Sequence, residues 1–199
     1  MRFLFAIGIG ALCLALSPAV SATVLISGDL GDLARGAAVV VRGRVVAVRT
    51  DWADGRRRVV TIVTVAVDET FKGPVGSQVS FTVPGGLMGR YRSIMVGAPT
   101  FHEGDEAVWF LGAQPPALPY VLGLGQGVFR IERDTRTGQT SVKPSALLSD
   151  PAGPVTVQRG DPSRPAQSLD AFSAMLRGVL STARAKERRE QTRATKGLR

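Results

Sequence analysis

The segment from Arg58 to Gly86 constrains the fold of this chain most strongly, because it has the pattern of two long β-strands joined by a Lys-Gly-Pro turn. In the first strand every second residue shares one face, and four of the five residues on that face are β-branched valines, which favour a pleated surface. The first strand is predicted over Val59–Asp68, and the segment Phe71-Lys72-Gly73-Pro74 is expected to end it, because glycine allows a positive φ and proline cannot donate to a ladder. The second strand alternates apolar and polar residues up to Pro84. The residues of the valine-rich face are Val59, Thr61, Val63, Val65 and Val67.

Further strands are predicted on both sides of this hairpin. Val39–Val48 alternates in the same way, and the DWADGRRR segment after it predicts a hairpin loop with Asp-Gly at its turn. Gly86–Arg92 is expected to be a mobile glycine-rich loop and Ser93–Val96 a short strand. The remaining predicted elements are a strand at Ala107–Leu111, a proline-rich loop at Gln114–Pro119, a short strand at Tyr120–Leu124 and a hairpin formed by Gly127–Arg133 and Thr140–Lys143. The pattern predicts an all-β domain over residues 23–143.

The first 22 residues have the features of a secretory signal peptide. Arg2 precedes an apolar run too short to span a bilayer, and Val20-Ser21-Ala22 provides small residues for cleavage. The only cysteine, Cys13, lies inside this run and follows Leu12, where a lipoprotein signal would have a small residue. We therefore expect an unlipidated, exported protein, periplasmic or secreted from a bacterium, whose mature chain begins near Thr23 and has no disulfide.

The C-terminal part has a different composition. Residues 144–167 are rich in Pro, Gly, Asp and Arg and are predicted to be a linker, whereas residues 168–199 are predicted to form an amphipathic helix with a basic tail. Ser168 is a candidate N-cap. A short capped turn of helix is also expected near the mature N-terminus, where Asp29 precedes Leu30. The residues expected on the apolar face of the C-terminal helix are Leu169, Phe172, Leu176, Val179 and Leu180.

The positive charge is concentrated in the tail. From Arg177 to Arg199 there are eight basic and two acidic residues, which accounts for +6 of the formal charge of +9. Because the predicted β domain is nearly neutral and poor in aromatic residues, nucleic acid is not an expected partner. The tail is expected to be a solvated helix end, with weak contact to an anionic membrane surface as the alternative. The residues that would make this contact are Arg184, Lys186, Arg188, Arg189, Arg193 and Lys196.

The sequence motifs typical of catalytic and metal-binding sites are incomplete in this chain. His102 is the only histidine, so it would be the base of any Ser-His-Asp arrangement, yet no G-x-S-x-G motif accompanies it. The cluster Glu103, Asp105 and Glu106 lacks the spacing of a calcium loop. Gly123-Leu-Gly125-Gln-Gly127 leads into a strand rather than a helix, which favours a turn over a phosphate site. We therefore expect no enzyme activity and no cofactor.

Two regions are candidates for binding a partner. Trp52 lies in the predicted DWADG hairpin loop, where an exposed aromatic residue would anchor a contact. The second region is the glycine-rich loop at Pro84, Gly85, Gly86 and Gly89, because binding residues are concentrated in loops held by a rigid scaffold. Turn geometry and core packing are the simpler explanations of both.

The three segments VVVRGRVVAV, DETFKGP and QVSFTVPGG together resemble the first half of a netrin-like module, the OB-type barrel of tissue inhibitors of metalloproteinases. The resemblance covers about Ala38 to Gly86. It implies an OB-like, partly open β-barrel and an inhibitor whose mature N-terminus, here Thr23, chelates the zinc of a protease. The chain lacks the N-terminal cysteine and the disulfides that hold this end in those inhibitors.

Three functional hypotheses follow. The first is an exported, non-enzymatic binding module of β-barrel type with a protein partner, for which an exported protease is one candidate. The second is a secreted metalloprotease inhibitor that acts through its mature N-terminus, Thr23, together with the loop from Pro84 to Gly89. The third is association with the envelope surface through the basic C-terminal helix. The sequence leaves the oligomeric state open.

Overall fold

The computed structural model describes residues 29–144 and 166–197. Within these ranges the chain is mostly β-structure, with one short helix at the start and one long helix at the end. The proposed signal peptide, Thr23 and most of the predicted linker lie outside the described residues. The elements are α1 (Leu30–Gly36), β1 (Val39–Ala53), β2 (Arg58–Lys72), β3 (Gln78–Pro84), β4 (Gly86–Met88), β5 (Tyr91–Ser93), β6 (Glu106–Gln114), β7 (Ala117–Val121), β8 (Val128–Arg133), β9 (Thr140–Pro144), β10 (Gln167–Ser168) and α2 (Leu169–Gly197).

One large sheet contains eight of the strands and partly closes into a ring. β1 pairs with both β2 and β6, β2 pairs with β3, and β6 pairs with β7, all antiparallel. The ring is completed by a parallel contact between β3 and β7 at Thr82 and Tyr120. β8, β9 and β10 extend the sheet beyond β6. The prediction of a β-rich domain with a C-terminal helix is confirmed at this level.

The long hairpin formed by β1 and β2 is the longest pairing in the sheet. Its register runs from Val40 opposite Lys72 to Ala53 opposite Arg58, with irregularities that let the hairpin bend. Gly43 lies at one of them, and a Cβ atom there would be 2.0 Å from the carbonyl oxygen of Ala66. Only glycine therefore permits this close approach of the two strands.

Both strands of the long hairpin are longer than predicted. β1 continues through Trp52, so the loop is reduced to residues 54–57, where Asp54, Gly55 and Arg56 have positive φ angles. β2 continues through Phe71 and Lys72, because Lys72 still pairs with Val40 and Phe71 is buried. The predicted placement of Trp52 in a loop was therefore wrong.

The inner core fills the ring. It is formed by the inward faces of the ring strands, as the alternation in β2 and β3 predicted, together with Phe101. Phe81, Phe101 and Trp109 pack with ring centroids 5.8–6.4 Å apart. Trp109 is fully buried in this core. The buried members are Val41, Val45, Val63, Val65, Phe81, Val83, Phe101, Ala107, Trp109, Leu111, Val121 and Val128.

The outer core lies between the sheet and the two helices. The predicted apolar face of α2 packs here, with Phe172, Leu176 and Leu180 all buried. Because β6 supplies alternate residues to both cores, its apolar run is continuous rather than alternating. The buried members are Leu33, Ala34, Ala37, Val40, Phe71, Val108, Phe110, Phe129, Val142, Phe172, Leu176 and Leu180.

The helices begin at the predicted caps. The Asp29 carboxylate accepts a hydrogen bond from the Asp32 amide, and the Asp32 side chain accepts one from the Asp29 amide, which makes a capping box. The Ser168 hydroxyl oxygen accepts a hydrogen bond of 3.3 Å from the Ala171 amide. Short polar side chains at these positions satisfy amides that have no partner within the helix.

Four local predictions were wrong. The strand predicted at Tyr120–Leu124 lies earlier in the chain, because β7 runs from Ala117 to Val121 and a turn follows it. Gly86–Ser93 forms the β4–β5 hairpin rather than a loop, since three-residue strands are too short to show an alternating pattern. Ser93–Val96 is not a strand, because the Ala98 amide donates to the Met95 carbonyl oxygen and closes a turn. Gln114–Pro119 is not a loop, because β6 includes Gln114 and Pro119 belongs to β7 at a position without a paired partner.

Candidate functional site

The β4–β5 hairpin crosses one end of the long hairpin, the end near Trp52 and Val59, which we call the distal end. The Gly85 amide donates to the Val59 carbonyl oxygen at 3.0 Å, and the Thr61 hydroxyl donates to the Gly85 carbonyl oxygen at 2.8 Å. These two bonds tie the chain after β3 to β2. The short hairpin is thus held on the sheet where it leaves the ring.

Gly85 and Gly86 make this crossing possible. Their φ angles are +96° and +143°, in a region that residues with a side chain rarely adopt. A Cβ atom on Gly86 would be 2.7 Å from Thr50 Cγ2 and 2.8 Å from Thr61 Oγ1. Gly89, at the tip of the hairpin, has a φ of +58° and no atom within 4 Å of such a Cβ. Gly86 is therefore required for packing, whereas Gly89 is required only for the turn.

Trp52 and Tyr91 join the two hairpins. Their rings meet edge to face with centroids 5.8 Å apart, and the Arg90 guanidinium lies 5.5 Å from the Tyr91 ring centroid. Trp52 is partly buried and Tyr91 is exposed. Trp52 is therefore part of a built aromatic contact, beside the glycine residues that the sequence analysis selected.

Tyr91 of this contact belongs to a segment with several exposed apolar residues. Of the nine large apolar side chains that are exposed among the described residues, five lie between positions 87 and 96. Ile94 and Val96 are the most exposed, at 72% and 71%. Since exposed apolar residues scattered singly need no explanation, their concentration in one segment is the informative feature. The apolar patch consists of Leu87, Tyr91, Ile94, Met95 and Val96.

A groove of about 410 Å³ runs beside the patch. Thr50 and Thr61 of the long hairpin line one part of it, and Phe101 lines another. Pro84, Gly85 and Gly86 also line it, so three of the predicted partner-binding residues are brought together with the patch. Ile94 and Met95 complete the link between the groove and the exposed segment.

The distal end is electropositive. The segments 49–58 and 86–96 contain six arginines and two aspartates, and no Asp or Glu lies between Pro84 and Phe101. Asp51 pairs with Arg49 at 3.1 Å, and Asp54 pairs with Arg58. The other four arginines have no carboxylate partner among the side chains that the structure describes. They are Arg56, Arg57, Arg90 and Arg92.

The exposure of the run Ile94–Val96 was not predicted from the sequence. Its residues predicted a short strand, and only the segment Gly97-Ala98-Pro99 after it is typical of a turn. Exposure is a tertiary property, so residue type alone could not reveal it.

The predicted basic contact on α2 is only partly described. The Arg184 guanidinium donates to the Phe71 carbonyl oxygen at 3.0 Å, which ties the helix to the sheet, and Lys186 and Arg188 also make contacts. The side chains of Arg189, Arg193 and Lys196 lie outside the described residues, as does Thr23. In the described part, α2 contributes to packing as well as to charge.

His102 and the acidic cluster form a turn stabilised by ion pairs. The His102 side chain is exposed, with Nδ1 4.0 Å from Asp105 Oδ2, while the His102 amide donates to the same oxygen at 3.0 Å. Asp105 also pairs with Arg130 at 3.0 Å, and Glu106 pairs with Arg44. These carboxylates are thus engaged by guanidinium groups. Among the described residues, no three His, Cys, Asp or Glu side chains are placed to hold a metal ion together.

Neither described helix has the length and apolar content needed to cross a bilayer. The protein-family models, the curated proteins and the solved structures contain no match to this chain.

Proposed function

We propose that this protein is an exported, non-enzymatic binding module whose contact surface is the distal end of the long hairpin. The observation that carries the proposal is the apolar patch, which lies on a domain whose two cores are otherwise well buried. Exposed apolar segments of this kind are typical of surfaces that bind a partner.

The proposed scaffold is an OB-like barrel. The ring order β1-β2-β3-β7-β6 and its closure between two parallel strands support this assignment, because OB-folds are five-stranded, partly open Greek-key barrels. The netrin-like resemblance covers the first three strands of this ring and stays part of the proposal. Export depends on the proposed signal peptide at residues 1–22.

The inhibitor hypothesis requires Thr23, which lies outside the described residues, in addition to the loop from Pro84 to Gly89 at the distal end. The proposed surface is independent of the chain terminus. From the sequence its partner was expected to be a protein, with an exported protease as one candidate. The capture experiment can detect a protein or an envelope component.

The test is capture from the native exported fraction, membranes included, by the wild-type protein and by a variant carrying Ile94→Ser, Met95→Ser and Val96→Ser. We expect the variant to lose the partner that the wild-type protein retains. The matched control carries three Ser substitutions at exposed apolar residues outside the patch, Val46, Leu118 and Met175.

Retention of the same partner by the patch variant would contradict the proposed surface. Loss of the partner by the control variant to the same extent would show that exposed apolar residues in general, rather than the distal end, cause the capture.

A further inference from the structure

We infer that the distal end binds the surface of an anionic phospholipid bilayer, with the apolar patch entering the interface and the neighbouring arginines contacting phosphate groups. This inference rests on the proposed function and names the partner of the same surface. It differs from the expectation drawn from the sequence, in which the basic C-terminal helix makes the membrane contact.

The exposure of the patch favours a bilayer. Ile94 and Val96 expose more than two thirds of their surface, and they follow one another closely in the chain with Met95 between them. A rigid protein partner would need a pocket shaped for such protruding side chains, whereas the headgroup region of a bilayer adapts to them. Peripheral proteins bind in this way, with apolar side chains at the boundary between headgroups and acyl chains.

The charge favours anionic lipid. Arg90 and Arg92 flank Tyr91 within the patch, and Arg56 and Arg57 lie in the turn between β1 and β2. The two aspartates nearby are already paired with other arginines. Guanidinium groups bind phosphate oxygens in a bidentate manner, and each basic residue near an anionic surface strengthens binding about fivefold.

The aromatic pair is suited to the boundary between the apolar and charged regions. The ring centroids of Trp52 and Tyr91 are 5.8 Å apart, and the Arg90 guanidinium lies against the Tyr91 ring. Tryptophan and tyrosine are enriched at membrane interfaces because each has an apolar body and one polar group. The distal end thus combines aliphatic, aromatic and cationic side chains in one place.

Two other occupants are less well supported. A second copy of the chain would bring the four arginines without carboxylate partners close to those of its partner, and like charges at an interface are unfavourable. An acidic protein would satisfy the arginines but would have to provide a complementary surface for the protruding aliphatic residues. The experiment distinguishes this protein partner from lipid.

The C-terminal helix lies at the opposite end of the long hairpin. Arg184 contacts Phe71, twelve residues along β2 from Val59 at the distal end. At about 3.3 Å per residue, this separation is up to about 40 Å along the strand. The two basic regions are therefore separate surfaces that substitutions can test independently.

The experiment measures binding of the protein to vesicles of phosphatidylglycerol and phosphatidylcholine in a ratio of 3 to 7, and to vesicles of phosphatidylcholine alone. We expect the wild-type protein to prefer the anionic vesicles and to lose affinity as the salt concentration rises. The triple variant Ile94→Ser, Met95→Ser, Val96→Ser should lower the partition coefficient more than tenfold. The double variant Arg90→Gln, Arg92→Gln should lower it about 25-fold at low salt, at about fivefold for each charge.

The tail provides the matched charge control. The double variant Arg193→Gln, Lys196→Gln removes two positive charges from the C-terminal segment and should change binding less than twofold. If this control abolishes binding while the patch and Arg90/Arg92 variants retain it, the inference is overturned and the helix is the membrane-binding element.

Tryptophan fluorescence gives a second readout. The chain contains two tryptophans, and Trp109 is fully buried. Addition of the anionic vesicles should therefore shift the emission of Trp52 to shorter wavelength, and the Trp52→Phe variant should lose the shift. An unchanged spectrum in the wild-type protein at saturating vesicle concentration would contradict insertion of the distal end.

Failure of this inference is distinguishable from failure of the proposed function. Absence of binding to the anionic vesicles overturns the lipid assignment. If the patch variant then still loses a protein partner from the exported fraction, the distal end remains the binding surface. If the wild-type protein and the patch variant bind the vesicles equally and also capture the same proteins, both proposals are wrong. Circular dichroism verifies that each variant is folded, and the Arg90/Arg92 variant tests the inference without altering an apolar residue.

Discussion

The two ends of the long hairpin are covered by elements of very different size. At the helix end, where Val40 pairs with Lys72, α1 and α2 cover the sheet and the apolar side chains are buried. At the distal end, the cover is the β4–β5 hairpin, whose strands have three residues each. The hydrogen bond from the Gly85 amide to the Val59 carbonyl oxygen holds the start of this hairpin on the sheet. The apolar residues of the hairpin itself remain exposed.

This difference implies that residues at the helix end contribute to stability, whereas exposed residues at the distal end contribute to binding. α2 has an apolar face long enough to complete the outer core, so its residues contribute to folding. A short hairpin has too few side chains to bury both the sheet below it and its own outer surface. We therefore expect substitutions at the helix end to change the free energy of unfolding, and those in the apolar patch to change binding.

The largest effect is expected at the centre of the α2 contact. Leu176→Ala removes a side chain that is fully buried in the outer core and should lower the free energy of unfolding by about 2–5 kcal/mol. The control is Met175→Ala, one residue earlier and partly exposed, with an expected change within about 0.5 kcal/mol. Chemical denaturation measures both. Equal stabilities of the two variants would show that α2 does not complete the core.

The second effect concerns how the distal end is built. Gly86→Ala places a Cβ atom against Thr50 and Thr61 at a φ of +143° and should cost about 1–3 kcal/mol. Gly89→Ala changes a glycine that also has a positive φ but has open space around it, so about 1 kcal/mol is expected. Thermal unfolding measures the difference. A larger cost at Gly89 than at Gly86 would contradict the packing described for the β4–β5 hairpin.

The third substitution tests whether an exposed residue of the apolar patch contributes to stability. Ile94→Ser changes a side chain that is 72% exposed, so the free energy of unfolding should change by no more than about 0.5 kcal/mol. The same variant should bind the proposed partner more weakly. A large loss of stability would mean that Ile94 belongs to a core, and the contrast between the two ends would disappear.

The smallest effect is expected in the turn between β8 and β9. The residues of this turn belong to neither core. The Asp134 carboxylate accepts hydrogen bonds from the amides of Arg136 at 2.7 Å and Thr137 at 3.1 Å. Mainly the Arg136 bond, with help from Thr137, lowers the pKa of Asp134 below its ordinary value of 3.8.

Because the folded-state pKa of Asp134 is lowered, its stabilising effect is present above pH 3.8 and is lost as the pH falls through the folded-state value. Asp134→Asn should therefore be slightly less stable than the wild-type protein at neutral pH. This difference should disappear in acid, where both side chains are uncharged. Unfolding curves from pH 2 to pH 7 measure it, and a difference that does not depend on pH would contradict this origin.

Local patterns predicted much of the fold correctly. The alternation of valines identified β1 and β2, the apolar face of α2 was predicted residue by residue, and the polar residues Asp29 and Ser168 were identified as caps. These features depend on spacing and residue type over a few turns or strand positions. The errors occurred at the ends of β1 and β2 and where elements were very short, as in β4 and β5, or contained a proline, as in β7.

The candidate site was predicted only in part. Pro84, Gly85 and Gly86 were selected as glycine-rich loop residues, and Trp52 was selected as an exposed aromatic residue. Their proximity could not be predicted, because Trp52 and Tyr91 are far apart in the chain and meet only where the short hairpin crosses the long one.

The sequence alone determined the long strands β1 and β2, the helix caps and the buried face of α2, because each follows from the periodicity of apolar residues or from a local hydrogen bond. Only the tertiary structure decided which apolar residues remain exposed. Val63 and Val96 each follow an apolar residue in the sequence, yet Val63 is fully buried inside the ring and Val96 is 71% exposed. Burial depends on what packs above a residue, and the β4–β5 hairpin is too small to cover the distal end of the sheet.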